Sequence, residues 1–318
     1  MASADVVQPP SEPNNVSVNN LTFSYPQYNA SESSLAFEIA DFSLNLPPGS
    51  RCLLSGANGT GKTTLLQVLA GKYMVPRSDV LVLGRPAFHD VALTNSGELS
   101  YLGTAWRREV GCAGSVALGA DIPARTMIYG VPDVDPERRN RLVEMLDIDL
   151  DWSMMKLSDG QRRRVQICLG LLRPYKVLLL DEVTVDLDVV GRLDLLEFFK
   201  YECETRGATV VYATHIFDGL EGWATHLAYL ENGKLKRGGR IEQFAPSLDP
   251  KLYENQKRDG LIEGDMQNKT RLLELVEVWL KEEHGDRKKR EEEERLNPAP
   301  KKKEVKNPFG NRHMAYYR

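Results

Sequence analysis

A glycine-rich segment in the first quarter of the chain has the composition of a phosphate-binding loop. Residues 56–63 read Gly-Ala-Asn-Gly-Thr-Gly-Lys-Thr and fit the pattern G-x-x-x-x-G-K-[ST] between a predicted strand and a predicted helix. Glycines let the backbone turn its N–H groups towards phosphate oxygens, and the following helix adds the positive end of its dipole. In such a loop Lys62 reaches the β- and γ-phosphates of a nucleotide, and the hydroxyl of Thr63 holds Mg²⁺. The residues expected to bind the nucleotide are Gly56, Ala57, Asn58, Gly59, Thr60, Gly61, Lys62, Thr63 and Thr64.

Two adjacent carboxylates follow an apolar segment further along the chain. Residues 177–180 predict a buried strand, which ends in Asp181 and Glu182. Functional side chains gather at the carboxyl ends of parallel strands, so we expect both carboxylates to lie beside the phosphate loop. Asp181 is placed to hold Mg²⁺, directly or through water, and Glu182 to polarise an attacking water as a general base. The alternative is that both residues only cap the next helix, where acidic side chains are favoured.

A short polar motif precedes this carboxylate pair. Residues 157–161 read Leu-Ser-Asp-Gly-Gln, in which Ser158 and Gln161 have the spacing of a capping box. A helix that begins here leaves the Ser158 hydroxyl and the Gly160 amide at its positive end, where an anion is favoured. Taken alone, the motif could serve helix capping and nothing more.

The order of these motifs resembles that of the ATP-binding-cassette (ABC) ATPases. Their signature is LSGGQ, and this chain has Asp159 where the middle glycine stands. After the carboxylate pair, Asp188 resembles the D-loop aspartate of the family and His215 its H-loop histidine, which contacts the γ-phosphate. Upstream, Tyr25 resembles the aromatic residue that stacks on adenine, with Tyr28 as a rival candidate. Taken singly, the histidine and the tyrosine could also be ordinary packing residues.

This resemblance covers about residues 15–245 and implies a fold. The expected fold class is α/β, a P-loop NTPase nucleotide-binding domain of the ABC type. It combines a mainly parallel core sheet, an antiparallel β subdomain and a helical subdomain that carries the signature. The resemblance further implies that the chain binds ATP with Mg²⁺ and hydrolyses it, with Lys62, Glu182 and His215 in catalytic roles.

The resemblance also implies a second chain. In the family each nucleotide lies between the phosphate loop of one domain and the signature of another, and this sequence has one copy of each motif. We therefore expect a homodimer, or a heterodimer with a paralogous ABC ATPase, arranged around a twofold axis. Asp188 is expected to cross towards the partner. The residues expected to contact the partner's nucleotide are Leu157, Ser158, Asp159, Gly160 and Gln161.

The cellular role of the protein is indicated by two departures from the family pattern and by two segments that resemble one subgroup of the family. A glutamine that normally follows the strand at residues 99–102 is absent near Thr104, and Val183 replaces the proline that usually follows the glutamate. Residues 101–104 and 307–312 resemble the plant ABC transporter I family, whose fungal relative is associated with the CCR–NOT complex. The resemblance implies a soluble ATPase that regulates a protein assembly. The alternatives are the ATP-hydrolysing subunit of a multi-subunit membrane transporter and a nucleotide-binding scaffold with negligible turnover.

Composition narrows the classes of function. The 318 residues include 41 basic and 45 acidic side chains, for a formal net charge of −4, whereas a generic nucleic-acid binder is basic. No apolar run approaches the roughly 20 residues that cross a bilayer, and the N-terminus lacks the apolar region of a signal peptide. We expect a cytoplasmic protein without specific nucleic-acid binding, with nuclear or peripheral membrane association as alternatives. Four cysteines without a CxxC pair predict neither a zinc site nor a disulfide framework.

Alternating strand and helix patterns supply the elements that must position the motifs. We expect a disordered N-terminus (1–14), an ABC ATPase domain (15–248) with a helical subdomain at about 105–170, a C-terminal helical extension (249–296) and a flexible tail (297–318). Asn232-Gly233 predicts a two-residue hairpin turn, and apolar residues at helical spacing over 272–280 predict one buried helix face. Three arginines at 162–164 are expected to be mostly solvated, although one of them could meet a phosphate or a carboxylate.

Overall fold

A computed structural model of the protein describes residues 13–25, 38–103, 122–248 and 272–296. Within these ranges ten strands form two sheets. The strands are β1 (Val16–Ser24), β2 (Glu38–Leu46), β3 (Arg51–Ser55), β4 (Val80–Val82), β5 (Arg85–Pro86), β6 (Leu99–Leu102), β7 (Val177–Asp181), β8 (Thr209–Ala213), β9 (His226–Glu231) and β10 (Lys234–Arg240).

Helices begin where side chains can accept hydrogen bonds from the first free backbone N–H groups. Asp90, Asp135, Ser158 and Asp188 are the N-cap residues that do so, which is why helices start directly after them. The helices are α1 (Lys62–Leu69), α2 (Val91–Asn95), α3 (Ala124–Tyr129), α4 (Pro136–Met145), α5 (Asp159–Leu171), α6 (Val189–Arg206) and α7 (Leu272–Leu296), with a 3₁₀ helix at Ile241–Leu248.

The larger sheet has six strands in the order β10-β9-β3-β8-β7-β6. The five strands from β9 to β6 run parallel, and β10 joins as the antiparallel arm of a hairpin. Every residue of β3, β7 and β8 is buried, which is the pattern of parallel strands covered on both faces. The prediction of a mainly parallel core sheet is confirmed. The predicted hairpin turn is present too, with positive φ at both Asn232 and Gly233.

The smaller sheet is antiparallel and has the order β2-β1-β4-β5. Its strands alternate between buried and exposed residues, because only one face of the sheet packs against the core. The antiparallel part of the predicted fold is therefore confirmed. The helical part is formed by α3 and α4, which pack against α5, the helix that begins at Ser158.

The last described helix packs back onto the core sheet. Trp279 of α7 lies edge-on against Tyr229 of β9 and against Phe244 of the 3₁₀ helix. One turn further on, the buried carboxylate of Glu283 accepts a hydrogen bond of 2.6 Å from the Tyr229 hydroxyl. The predicted apolar helix face thus covers the β9 side of the sheet, and Leu275 is among its buried residues.

Candidate active site

The phosphate-loop segment connects β3 to α1 through three glycines with positive φ. Gly56, Gly59 and Gly61 have φ values of 145°, 82° and 104°. Residues with a side chain rarely adopt these angles, and a Cβ at Gly56 would overlap the backbone carbonyl of Leu230. Gly61 is the N-cap of α1 and offers no side chain to the helix end, so the first N–H groups of α1 face the loop.

Lys62 lies across this loop. Its side chain is 7% exposed, and Nζ donates hydrogen bonds of 2.8 Å to the backbone carbonyls of Gly56 and Ala57. Burial lowers the pKa of Lys62, while the charges of Glu182 and Asp181 oppose that shift. The ammonium group is therefore held at the mouth of the loop, close to the two carboxylates.

The carboxylate at the end of β7 meets the first turn of α1. Thr63 Oγ1 donates a hydrogen bond of 3.2 Å to Asp181 Oδ1, and the Tyr101 hydroxyl lies 3.4 Å from the other carboxylate oxygen. Burial raises the pKa of Asp181, and the hydrogen bond from Thr63 partly offsets the rise. A hydroxyl beside a carboxylate offers the hard oxygen donors that Mg²⁺ prefers. Within the described ranges, no group of three or more His, Cys, Asp or Glu side chains is arranged to hold a metal ion.

Glu182 and His215 face each other at the ends of neighbouring strands. Glu182 Oε1 lies 3.1 Å from His215 Nε2, and the Glu182 backbone N–H bonds to the carbonyl of Ala213. Glu182 has a φ of 51°, a left-handed conformation that turns the chain sharply after β7. Burial lowers the pKa of His215, the Lys62 charge lowers it further, and the Glu182 carboxylate opposes both. The imidazole is therefore neutral near pH 7.

These side chains open onto one cavity of about 350 Å³. Its described lining consists of Tyr25, Asn58, Gly59, Gly61, Lys62, Thr63, Thr64, Glu182 and His215. Tyr25 stands at the edge, where its hydroxyl lies 2.9 Å from Thr64 Oγ1 and its ring packs edge-on against Tyr73. Tyr73 was missed by sequence reasoning, because no motif marks it. Tyr28 and Thr104 lie outside the described residues.

The signature residues lie at the start of α5 and cap that helix. Ser158 accepts a hydrogen bond from the Gln161 backbone N–H, and the Gln161 side chain accepts one from the Ser158 N–H, so the predicted capping box is confirmed. Leu157 is buried, whereas Ser158 and Asp159 are exposed and Gly160 is half-buried. None of the described residues that line the cavity belongs to the signature. The first turn of α5 therefore presents its polar atoms to solvent.

The arginine run after the signature differs from expectation. Arg163 is 1% exposed, so the prediction of a solvated side chain is wrong for this residue. Arg164 meets a carboxylate, as one of the three was expected to: it donates a hydrogen bond of 2.9 Å to Asp188, the N-cap of α6. Arg162 is partly exposed and pairs with Asp159. Sequence spacing alone did not mark Arg163, because its burial depends on the segment after β7 that packs over α5.

A two-sheet core with a phosphate loop before α1 and carboxylates at the end of β7 is the architecture of an ATP-binding cassette. Residues 39–185 match the family model described as ABC transporter. ABC transporter I family member 21 of Arabidopsis thaliana is 54% identical over 280 residues, which cover 87% of this chain and 89% of that protein. The chain therefore belongs to the ABC transporter family and is an ATP-binding cassette of it. The resemblance noted in the sequence, including the plant I family subgroup, is confirmed.

Two further relatives and one solved structure are informative. CCR4-associated factor 16 of Saccharomyces cerevisiae is 43% identical over 233 residues, which cover 69% of this chain and 76% of that protein. The energy-coupling factor transporter ATP-binding protein EcfA2 of Latilactobacillus sakei is 32% identical over 213 residues, 63% of this chain and 71% of that protein. The dimeric structure of MJ0796, a bacterial ABC transporter cassette, aligns with a TM-score of 0.57 over 71% of this chain and 98% of that one. At 18% identity, this last likeness shows the fold alone.

Each helix in the described part of the chain is too short or too polar to cross a bilayer.

Proposed function

We propose that this chain is an ATPase that closes on Mg-ATP together with a second cassette, most simply another copy of itself. The observation that carries the proposal is the division of the expected site. One cavity is lined by phosphate-loop residues, Glu182 and His215, while the signature residues lie outside it and two of them, Ser158 and Asp159, are exposed. A γ-phosphate bound in the cavity would meet a signature only if another molecule supplied it. The dimeric structure of the MJ0796 cassette, which shares the fold, supports this arrangement.

The binding step follows from the lining of the cavity. Tyr25, 37% exposed at the edge, offers an aromatic face to adenine. The triphosphate lies along the positive-φ glycines, where Lys62 exchanges its two carbonyl partners for phosphate oxygens. Thr63 and Asp181 would hold Mg²⁺, which would supply positive charge to neutralise the phosphates.

The hydrolysis step uses the pair at the strand ends. Glu182 accepts a proton from a water molecule, whose oxygen forms a bond to the γ-phosphorus. The bond from that phosphorus to the β–γ bridging oxygen breaks, and ADP and phosphate are released. His215 Nε2 lies 3.1 Å from Glu182, and the single N–H of the neutral ring can exchange the carboxylate for a γ-phosphate oxygen when ATP binds.

An apolar surface next to the D-loop residue supports closure on a second chain. Four apolar side chains at or near the start of α6, close to Asp188 in the chain, are 46–69% exposed. They are Val185, Val189, Val190 and Leu193. Contiguous apolar side chains on a protein surface mark interaction sites. A second copy related by a twofold axis would bury this surface against its own equivalent.

For the cellular role, we propose regulation of a protein assembly in the cytoplasm. The similarity to CCR4-associated factor 16 and the absence of a glutamine near Thr104 support this role. A second candidate, the ATP-hydrolysing subunit of a membrane transporter, is favoured by the similarity to EcfA2, a transporter ATP-binding protein by name. Affinity purification in the ATP-bound state separates the two. A stoichiometric integral-membrane partner would establish the second role and reject the first.

Light scattering on Glu182→Gln protein tests the ATPase dimer. The amide cannot accept the proton, so this variant is expected to be a dimer at saturating Mg-ATP and a monomer without nucleotide. Lys62→Ala protein is the control and is expected to stay monomeric in both conditions. Steady-state phosphate release by the unmodified chain is expected to exceed that of Glu182→Gln. A monomer at saturating Mg-ATP would reject the homodimer, and equal phosphate release would reject hydrolysis.

A further inference from the structure

A buried arginine connects the helix that carries the signature to the backbone beside the catalytic carboxylate. Arg163, on the second turn of α5, is 1% exposed, and its Nε donates a hydrogen bond of 3.2 Å to the carbonyl of Val183. Val183 directly follows Glu182 and is fully buried. An arginine is rarely this buried unless its guanidinium serves a specific partner.

The contacted segment is where the direction of Glu182 is determined. Glu182 holds a left-handed φ of 51°, which a residue with a side chain keeps only when its surroundings enforce it. One enforcing contact comes from the sheet, the bond from the Glu182 N–H to Ala213. The hydrogen bond from Arg163 holds the Val183 carbonyl, two peptides further along the chain. The carboxylate is thereby fixed opposite His215.

Neighbouring contacts make this connection part of a rigid unit. Arg164 reaches Asp188 at 2.9 Å, and a Cβ at Gly160 would lie 3.2 Å from the carbonyl oxygen of Asp186. From Gly160 to Arg164, α5 therefore touches the segment after β7 at three places. A displacement of the first turn of α5 cannot leave the segment that follows Glu182 unchanged.

We propose that Arg163 is a positioning residue for hydrolysis: it ties the Val183–Thr184 peptide, which directly follows Glu182 and Val183 in the chain, to the helix that begins at Ser158. The inference rests on the proposed function, because it assigns the signature helix to the partner's nucleotide and Glu182 to the chain's own. The helix that contacts the partner's nucleotide would then also determine the position of Glu182, which acts on the nucleotide bound to its own chain. Of the three contacts between α5 and the segment after β7, the one made by Arg163 lies nearest to Glu182 in the chain.

Arg163→Lys tests this role, because lysine keeps the charge and loses the Nε donor. Arg51→Lys is the matched control. Arg51 is also a buried arginine whose Nε donates a hydrogen bond to a backbone carbonyl, that of Trp223. It is the first residue of β3, however, and so lies at the end of that strand away from the phosphate loop. Both variants are expected to lose thermal stability. If Arg163→Lys yields no folded protein, Arg163→Met replaces it, since methionine keeps a long unbranched side chain and has no hydrogen-bond donor.

The first measurement is amide hydrogen exchange of nucleotide-free protein, which does not depend on hydrolysis. Exchange over residues 182–184 is expected to rise about tenfold in Arg163→Lys and to stay unchanged in Arg51→Lys. Equal exchange over this segment in Arg163→Lys and the unmodified chain overturns the inference. If the segment loosens but the unmodified chain shows no Glu182-dependent phosphate release, the positioning contact stands and the proposed hydrolysis fails.

The second measurement separates kcat from KM. Arg163→Lys is expected to lower kcat about tenfold or more while KM for ATP stays within about twofold, since a misplaced catalytic group slows the reaction without weakening binding. Arg51→Lys is expected to keep both values. In the Glu182→Gln background, Arg163→Lys is expected to cause no further loss, because both changes act on one group. Multiplying losses in the double variant would overturn the inference.

Discussion

Mixing two inactive variants gives the sharpest test of a site built from two chains. Lys62→Ala removes the phosphate-loop contact and leaves the signature intact, whereas Ser158→Arg blocks the signature and leaves the phosphate loop intact. Neither variant can build a complete site with its own copies. A mixed dimer, however, joins the phosphate loop of the Ser158→Arg chain to the signature of the Lys62→Ala chain, so one of its two sites is complete.

The structure indicates how large each single effect is. Lys62 already makes two hydrogen bonds of 2.8 Å from Nζ, and two charge-assisted bonds to phosphate at about 1.5–3 kcal/mol each correspond to roughly 10²- to 10⁴-fold in ATP affinity. Ser158 is exposed, so an arginine there projects into solvent and costs about 1 kcal/mol of helix capping. That cost is small beside the roughly 5–15 kcal/mol that stabilises a domain, so this chain stays folded and still binds ATP.

The assay is retention of labelled ATP through gel filtration, with Glu182→Gln added to every chain to prevent hydrolysis. Chains with both sites intact are expected to retain one nucleotide each, and either variant alone none. Because neither variant closes on its own copies, every dimer in an equal mixture is a mixed dimer with one of its two sites complete. The expected retention is therefore at most about one half of that of the intact chains.

Two results would refute this reasoning. Retention by Ser158→Arg alone would mean that one chain completes its own site. Zero retention by the mixture, while intact chains retain ATP, would mean that two copies of this chain do not share a nucleotide.

Three further predictions concern single positions. Asp181→Asn is expected to raise the melting temperature of nucleotide-free protein at pH 7. Burial raises the pKa of Asp181, so the ionised carboxylate costs stability that grows as the pH rises from the unfolded pKa to the folded one and is constant above it. Melts with EDTA are expected to show a smaller gain near pH 4 than at pH 7, and a variant that is less stable throughout would contradict this. Gly233→Ala is expected to lower the free energy of unfolding in urea by more than Gly222→Ala does. Both glycines have a positive φ, at which an alanine costs about 1–2 kcal/mol of backbone strain. Only at Gly233 would the added Cβ also overlap a backbone carbonyl, that of Glu38. Trp279→Ala is expected to cost about 3–5 kcal/mol of stability, because the buried indole packs α7 against Tyr229. Amide hydrogen exchange over residues 272–289 is expected to increase. Unchanged exchange would show that other contacts hold the helix.

The parts of the site that sequence predicted depend on residues a few positions apart. The capping box of Ser158 and Gln161 and the hairpin turn at Asn232-Gly233 are local geometries, so residue type and spacing suffice to predict them. The convergence of the phosphate loop with Glu182 was predictable as well, because the carboxyl ends of parallel strands share one edge of a sheet.

Other features required the tertiary structure. The left-handed φ of Glu182 has no sequence signal, since glutamate has no preference for that region. The tyrosine beside Tyr25, Tyr73, comes from a segment without any motif and reaches the cavity edge through packing alone.

The three arginines at 162–164 show most clearly that the sequence does not predict which side chains are buried. Three adjacent arginines on a helix look alike in the sequence, and the sequence by itself determined only that they follow the signature. Tertiary packing decided that Arg162 stays partly exposed, that Arg163 is enclosed beneath the segment after β7, and that Arg164 reaches Asp188. The physical reason is that burial is a property of the surroundings: adjacent residues on a helix point about 100° apart, and only the packed neighbours determine which of those directions faces protein instead of water.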